Sequence, residues 1–556
     1  MPNPDSAQTQ TAKLPHRLIR PIGAYTLSGL AIHQELLLTL DRTRGYLLQV
    51  NPKTDGTTLL NTQQAAAFEE ATGLALWEGK LYIARHHQVL TATLEDLTPT
   101  PLLSLPYLID SIAVWQQTLY ISSQKAGYIF IYDRDSHDLI TKLPLPGIGV
   151  ASIAVWGDYL WAVDQTEQTL FCLDRATGEQ IFSVLTPFAG PTGVAVLPET
   201  TPDRGTVWVT YADDEAYVRD DPNNPDFPYQ LTFRDRTFIH PLHYHYRPDE
   251  RYAVSNRFRV EMIYAEEIEP LDEVQLGPFE WRIAFPADTL RQRVKSVEPI
   301  GHPFTEVEVN GQRVAVFKFD SLSGHDRHLF GWRAVLEVQG IKYQVTPRLV
   351  EGGPALPDDL QTRYLVDDDE LAMDNPLILA AAETAVGRET NLLRKVLSIR
   401  NYVYDRLSYG IRPAIDTPDI VIERGIGSCG EYVGLLLALC RLNGIACRTV
   451  GRYKCPPHAE QINQPLVPEF NHVWIEFYVP DVGWLPMESN VDDIQDGGPY
   501  PTRFFMGLPW YHMEMAKEVP FERVHFAPAD VEKEIKIGNL ALNHVRFRIL
   551  EEMPPV

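Results

Sequence analysis

Three residues offer the clearest chemistry in this chain. Cys429 stands in Gly425-Ile426-Gly427-Ser428-Cys429-Gly430-Glu431-Tyr432, just before a strongly apolar run at 433–442. The pattern predicts a tight turn leading into a buried helix, with Cys429 at its start. Unpaired N–H groups and the positive end of the dipole gather at a helix start and favour a thiolate over a thiol. The glycines permit the turn and the approach of a substrate. A helix apolar on nearly every side is buried, which holds its first residue rigidly. His472 opens a strand-like run, Asn471-His472-Val473-Trp474-Ile475-Glu476-Phe477-Tyr478. A short turn separates it from Gly483-Trp484-Leu485-Pro486-Met487-Glu488. If the two runs pair as a hairpin, Glu488 comes beside His472. A cysteine nucleophile, an imidazole that takes and returns its proton, and a carboxylate that orients the imidazole together make an acyl-transfer site. The backbone N–H of Cys429 is the expected oxyanion donor. Tyr409 is a candidate second donor or cleft wall, and Trp474 is a candidate for the wall or for the core.

The elements that must position these residues follow from periodicity. Leu392, Val396, Ile399, Val403 and Leu407 recur at helical spacing within 376–407. The helix of Cys429 is expected to end at Asn443-Gly444, a suitable C-cap. Strands are expected at 449–452, 473–479 and 483–486. In this region the sequence resembles the transglutaminase-like superfamily, over roughly 360–495. Three blocks carry the resemblance in order. The first is Gly-x-Cys-x-acidic-aromatic at 427–432 before an apolar helix. The second is Leu442-Asn443-Gly444-Ile445-Ala446-Cys447-Arg448 with Val450-Gly451-Arg452-Tyr453. The third is His472-x-Trp474-x-Glu476 with Gly483-Trp484-x-Pro486-x-Glu488. The resemblance implies a papain-like α+β domain whose thiolate attacks an amide carbonyl, of a glutamine side chain or a peptide bond, to give a thioester. Water or an amine then resolves it, so a cysteine protease, an amidase and an acyltransferase are all implied. The family usually has Asp where this chain has Glu488. Asp492 or Asp493 is the alternative third member. The competing reading is a non-catalytic interaction scaffold that keeps a degenerate thiol domain.

The N-terminal region repeats. The apolar centres at Leu30, Leu74, Ile112, Ile153 and Val194 each open a unit of short strands, as in Lys80-Leu81-Tyr82-Ile83 and Tyr159-Leu160-Trp161-Ala162. A period of about 40 residues with several short strands per unit points to a β-propeller of five visible blades, or six with flanking segments. The expected organisation is a disordered start at 1–19, propeller-like repeats at 20–212 and an acidic linker at 213–229. A β-sandwich at 230–356, a transglutaminase-like domain at 357–515 and a tail with short strands at 516–556 complete it. Asn310-Gly311 predicts one hairpin in the middle domain and Gln339-Gly340 a second. The β domains are expected to recruit a protein or peptide substrate or a protein partner.

Composition narrows the partners. The chain has 556 residues, with 49 Lys+Arg against 74 Asp+Glu and a net charge of -25. Such a chain repels phosphate backbones, which argues against nucleic acid. No apolar run reaches the ~20 residues that span a bilayer, and the N-terminus lacks a signal-like stretch. The expectation is a cytoplasmic protein without membrane contact. Five cysteines are too few for a disulfide scaffold in a chain this long. Cys440, Cys447 and Cys455 read as packing. With His458 they form a zinc set only weakly, because no Cys-x-x-Cys pair is present. Calcium at 211–228 matches no EF-hand spacing. His240, His243 and His245 read as a solvated or edge-strand face rather than a metal site. No cofactor is expected.

Overall fold

The computed structural model describes residues 18–220, 229–268, 275–368, 370–412, 414–494, 497–517, 519–526 and 541–556. In the first four repeats, short apolar runs are separated by turns too tight for anything but hairpins. Glu78-Gly79, with φ of 49° and 77°, is one such turn. Each of these repeats is a four-stranded antiparallel sheet. Their first strands are β1 (Leu27–His33), β2 (Ala71–Trp77), β3 (Ser111–Trp115) and β4 (Val150–Trp156). The fifth repeat begins with β5 (Pro191–Val196). β1 lies against β2, β2 against β3, β3 against β4, β4 against β5, and β5 against β1 again. Trp77, Trp115 and Trp156, at successive strand ends, meet edge to face at 5.5 and 5.2 Å. Ile19 returns to the fifth unit and exchanges two backbone hydrogen bonds with Ile239, at 2.9 and 2.8 Å.

The fifth unit does not stop where a linker was expected. β6 (Arg204–Asp220) runs through 213–220 and pairs along its length with β7 (Tyr229–Arg247). Residues 221–228 of the expected linker lie outside the described residues. β5, β6 and β7 continue into β8 (Tyr252–Ile268), β12 (His328–Tyr343) and β10 (Gln292–Gly301), so one sheet joins the repeats to the middle region. Facing it is a smaller sheet containing β9 (Phe279–Ala284) and β11 (Gln312–Phe319). Trp281 and Phe317 on the small sheet pack against Phe330 on the large one, at 5.3 and 4.9 Å. Asn310-Gly311 turns a hairpin with φ of 50° and 78°. Gln339-Gly340 does not. β12 runs straight through it, and a Cβ there would stand 2.3 Å from Ser255 Oγ and displace that hydroxyl.

After a short helix at Asp358–Tyr364 come α1 (Pro376–Val386), α2 (Leu392–Arg406), α3 (Pro418–Arg424) and α4 (Cys429–Leu442). The single helical stretch expected at 376–407 breaks at Gly387, and Asn391 caps α2. α1 and α2 pack on α4, which is buried along one side of a sheet with β13 (Cys447–Lys454), β14 (His472–Val479) and β15 (Gly483–Met487). β16 (Gly507–Leu508) then pairs with β12, and β17 (His512–Met513) pairs with β13. The tail returns to the middle sheets. β18 (Glu522–Phe526) joins β9, and β19 (Ala541–Met553) pairs along β8. Among the described residues no helix is long and apolar enough to cross a membrane.

Candidate active site

Cys429 is the first residue of α4. The Glu431 carboxylate, one turn in, accepts the Ser428 N–H at 2.7 Å and the Asp416 N–H at 3.2 Å. It is also paired with Arg424 at 2.7 Å. Thus Glu431 ties the helix start to the loop before it. The side chains of α4 from Tyr432 to Arg441 are almost all buried, so the helix cannot shift without disturbing the core. The Cys429 thiol lies near the surface end of this assembly, with 8% of the residue exposed.

His472 begins β14, with 2% exposed, and Glu488 follows β15, fully buried. β14 and β15 pair antiparallel, so the hairpin carries Glu488 back to His472. His472 Nε2 meets both Glu488 oxygens, at 2.9 and 2.8 Å. Oε2 also accepts the Ser489 N–H at 3.1 Å. With Nε2 so engaged, the side of the ring bearing Nδ1 is left for Cys429. Nδ1 itself is buried without a hydrogen-bond partner.

The charges are coupled. Burial disfavours a Cys429 thiolate. The adjacent His472 imidazole and the Val473 N–H outweigh that and lower the thiol below its ordinary value. Burial also disfavours a charged His472, yet the Glu488 carboxylate and the adjacent Cys429 raise it. Burial opposes ionisation of Glu488 too, but two histidines hold it well below the usual carboxylate range.

The second histidine is His512, which sequence reasoning missed. Its Nε2 donates to Glu488 Oε1. It lies beyond the three blocks that marked the region, in a stretch without helical or strand periodicity, and nothing in its neighbours distinguishes it from a core residue. Trp474 is fully buried beneath the site. Its ring lies 6.2 Å from that of His472 and 5.0 Å from that of His512, so it packs the base of the site and does not line an open cleft. A Cβ on Gly451 would enter the Trp474 ring at 2.3 Å, and the glycine's φ of 105° is foreign to other residues. Tyr409 is 45% exposed and feels the charge of Cys429. The Ile415 side chain lies over Gly430.

Asp492 goes elsewhere. Its buried carboxylate pairs with Arg400 at 2.6 Å and Arg503 at 2.7 Å. Asp493 accepts the Tyr432 hydroxyl at 2.8 Å. Cys447 Sγ donates to the Leu437 carbonyl at 3.7 Å inside the core, Cys440 and Cys455 are buried, and His458 meets Arg236 at 3.0 Å. His240 and His243, expected on a solvated face, are buried, against Glu552 at 2.8 Å and Thr206 at 2.9 Å. Among the described residues, the side chains close enough to hold a metal ion are His472, Glu488 and His512. Their donor atoms already satisfy one another.

Comparison with known families agrees with this geometry. Residues 380–489 match the model of the transglutaminase-like superfamily, so this stretch of the chain is a transglutaminase-like domain. No curated protein gives a significant match. Solved structures give weak likenesses. A candidate cysteine protease from Cytophaga hutchinsonii is 17% identical, over 54% of this chain and 93% of its own, with a TM-score of 0.38. The glutaminyl cyclase of Myxococcus xanthus is 16% identical, over 40% and 95%, with a TM-score of 0.29. A calcium-binding protein, regucalcin, from Agrobacterium tumefaciens is 12% identical, over 40% and 94%, with a TM-score of 0.26. Likenesses of this size carry no argument about activity.

Proposed function

We propose that the chain is a thiol-dependent enzyme acting on amide bonds of a protein or peptide. The observation that carries the reading is His472, held by Glu488 on one nitrogen and set against a helix-start thiol on the other side. On this reading Cys429 is the nucleophile. His472 takes its proton as the thiolate attacks the carbonyl carbon, and Glu488 stabilises the imidazolium. The oxyanion forms beside the Cys429 N–H, which at the first helical position has no intrahelical acceptor. Collapse breaks the C–N bond, and His472 returns the proton to the leaving amine, leaving a thioester. Water or a second amine then attacks with His472 again as base. Tyr409, close enough to feel the charge of Cys429, and Ile415, which lies over Gly430, are assigned to the cleft wall.

The ring of five repeat units is assigned as a five-bladed propeller, and the paired middle sheets as a sandwich. Mutual contact of the five inner strands and the Ile19 closure support the first assignment. A polar cup of about 330 Å³ at one end of the ring includes Arg42, Asp110, Gln124 and Gln165, and suits the ring to substrate recruitment.

The test offers the full chain a glutamine-bearing protein with and without a labelled primary amine. Label incorporation identifies transamidation, ammonia without label identifies deamidation, and new termini identify proteolysis. Each must vanish in Cys429→Ala. None of the three in the wild type would leave the scaffold reading in its place.

A further inference from the structure

Glu488 presents a difficulty that its neighbours resolve. It is one methylene longer than aspartate, so it has an extra torsion to fix, and its carboxylate is buried where each oxygen needs donors. Oε2 is satisfied by His472 and the Ser489 N–H. Oε1 is shared between His472 and His512. Thus His472, the residue to be oriented, is not the only partner of the acid.

His512 is built to hold one position. It is fully buried, with Trp474 edge-on at 5.0 Å, Tyr511 at 5.1 Å and Phe504 at 5.8 Å between ring centres. Its backbone carbonyl accepts Arg291 Nη1 at 2.9 Å. The same arginine, itself 4% exposed, donates to the Pro509 and Gln339 carbonyls. Two residues before His512, Trp510 donates to the Pro187 carbonyl at 2.9 Å and stacks on Phe258 at 3.9 Å. Burial lowers the His512 imidazole to about 3, so it is neutral near pH 7 and its one proton lies on Nε2. A neutral donor fixes the carboxylate without placing a second cation beside it. The negative charge of Glu488 therefore remains available to His472.

We propose that His512 is a positioning residue that clamps Glu488, so that the glutamate is held in the one place from which it can orient His472. The inference rests on Cys429, His472 and Glu488 being the reacting group. The other titratable or charged groups facing the cluster are Lys454 on β13, Tyr409 beside Cys429, and Tyr404 and Tyr511 near Glu488.

The test reads the pH dependence of Cys429 alkylation by iodoacetamide in the full chain, followed by peptide mass spectrometry, which needs no substrate. His512→Gln keeps an N–H donor near the position of Nε2, whereas His512→Asn has the same chemistry but falls short. The expected result is a wild-type profile in His512→Gln. In His512→Asn, alkylation on the acidic side is slowed about tenfold, equivalent to one pKa unit. Thermal unfolding of each variant verifies folding. If His512→Asn does not fold, Glu488→Asp, which cannot reach both histidines from the same backbone, is expected to show the same loss. A perturbed wild-type thiol with all three variants unchanged overturns the clamp alone. A wild-type Cys429 that reacts as an ordinary thiol overturns both the clamp and the catalytic reading. A stoichiometric metal in the purified chain, lost in His512→Gln, would replace the clamp with a metal centre.

Discussion

Cys429, His472, Glu488 and His512 form a chain of groups whose charges are set by one another more than by solvent. The signs fix a pH profile. The thiol is lowered, so alkylation and catalysis rise with pH through a value below that of the same thiol in water. The imidazole is raised, so the charged pair persists above the ~6.5 of a free histidine and is lost on further alkalinisation. A bell with its acidic limb on Cys429 is expected in kcat/KM against pH, and Glu488→Gln, which removes the charge that raises His472, should move the alkaline limb down toward the ordinary histidine value. Stability carries a separate sign. His512 stays neutral in the fold down to about 3, while the unfolded chain takes up a proton below ~6.5. The fold therefore loses about 1.4 kcal/mol per pH unit from this residue as pH falls across that window. Glu488, held low, adds to the loss once pH falls below the ~4.3 of a free glutamate. Urea titrations at descending pH should show a shallower decline in His512→Gln than in the wild type.

The start of α4 is where local structure and chemistry meet. Glu431 accepts two backbone N–H groups and Arg424 there, and removing it leaves those donors without a partner. Glu431→Ala should lower stability by about 2–4 kcal/mol, measured by denaturant unfolding, and slow Cys429 alkylation. α4 and the β14–β15 hairpin are readable from sequence because their apolar period, glycines and turn agree, and those signals bring Cys429, His472 and Glu488 to one place. Other elements resist the same reading. Gly340 has the signature of a turn, but it lies inside a long strand whose pairing with β8 is made by residues more than 80 positions away. His512 is positioned by carbonyl contacts to Arg291 and by the Trp510–Pro187 bond, which join residues more than 200 positions apart. Local pattern does not encode such contacts. Trp474 has the spacing of a cleft residue, and only its burial shows that it is a floor.

At the scale of the molecule, the repeats and the transglutaminase-like domain are not beads on a string. The β5–β6–β7 sheet continues into the middle region, and the tail returns through β18 and β19. Glu167 of the fourth repeat accepts the Thr502 N–H at 2.8 Å, and Lys342 of β12 donates to the Thr502, Arg503 and Phe505 carbonyls. The segment that carries His512 is therefore held by the repeats and by the middle sheet together. Trp510→Ala, which empties a fully buried site beneath that segment, should cost about 3–5 kcal/mol and depress turnover beyond its effect on KM. The most direct measurement of the central claim is Cys429 alkylation at about pH 6, where a free thiol is almost wholly protonated. The expected result is a rate at least about tenfold above that of a model thiol, lost in His472→Ala. A Cys429 that reacts no faster than the model thiol, and is indifferent to His472→Ala, would contradict the account.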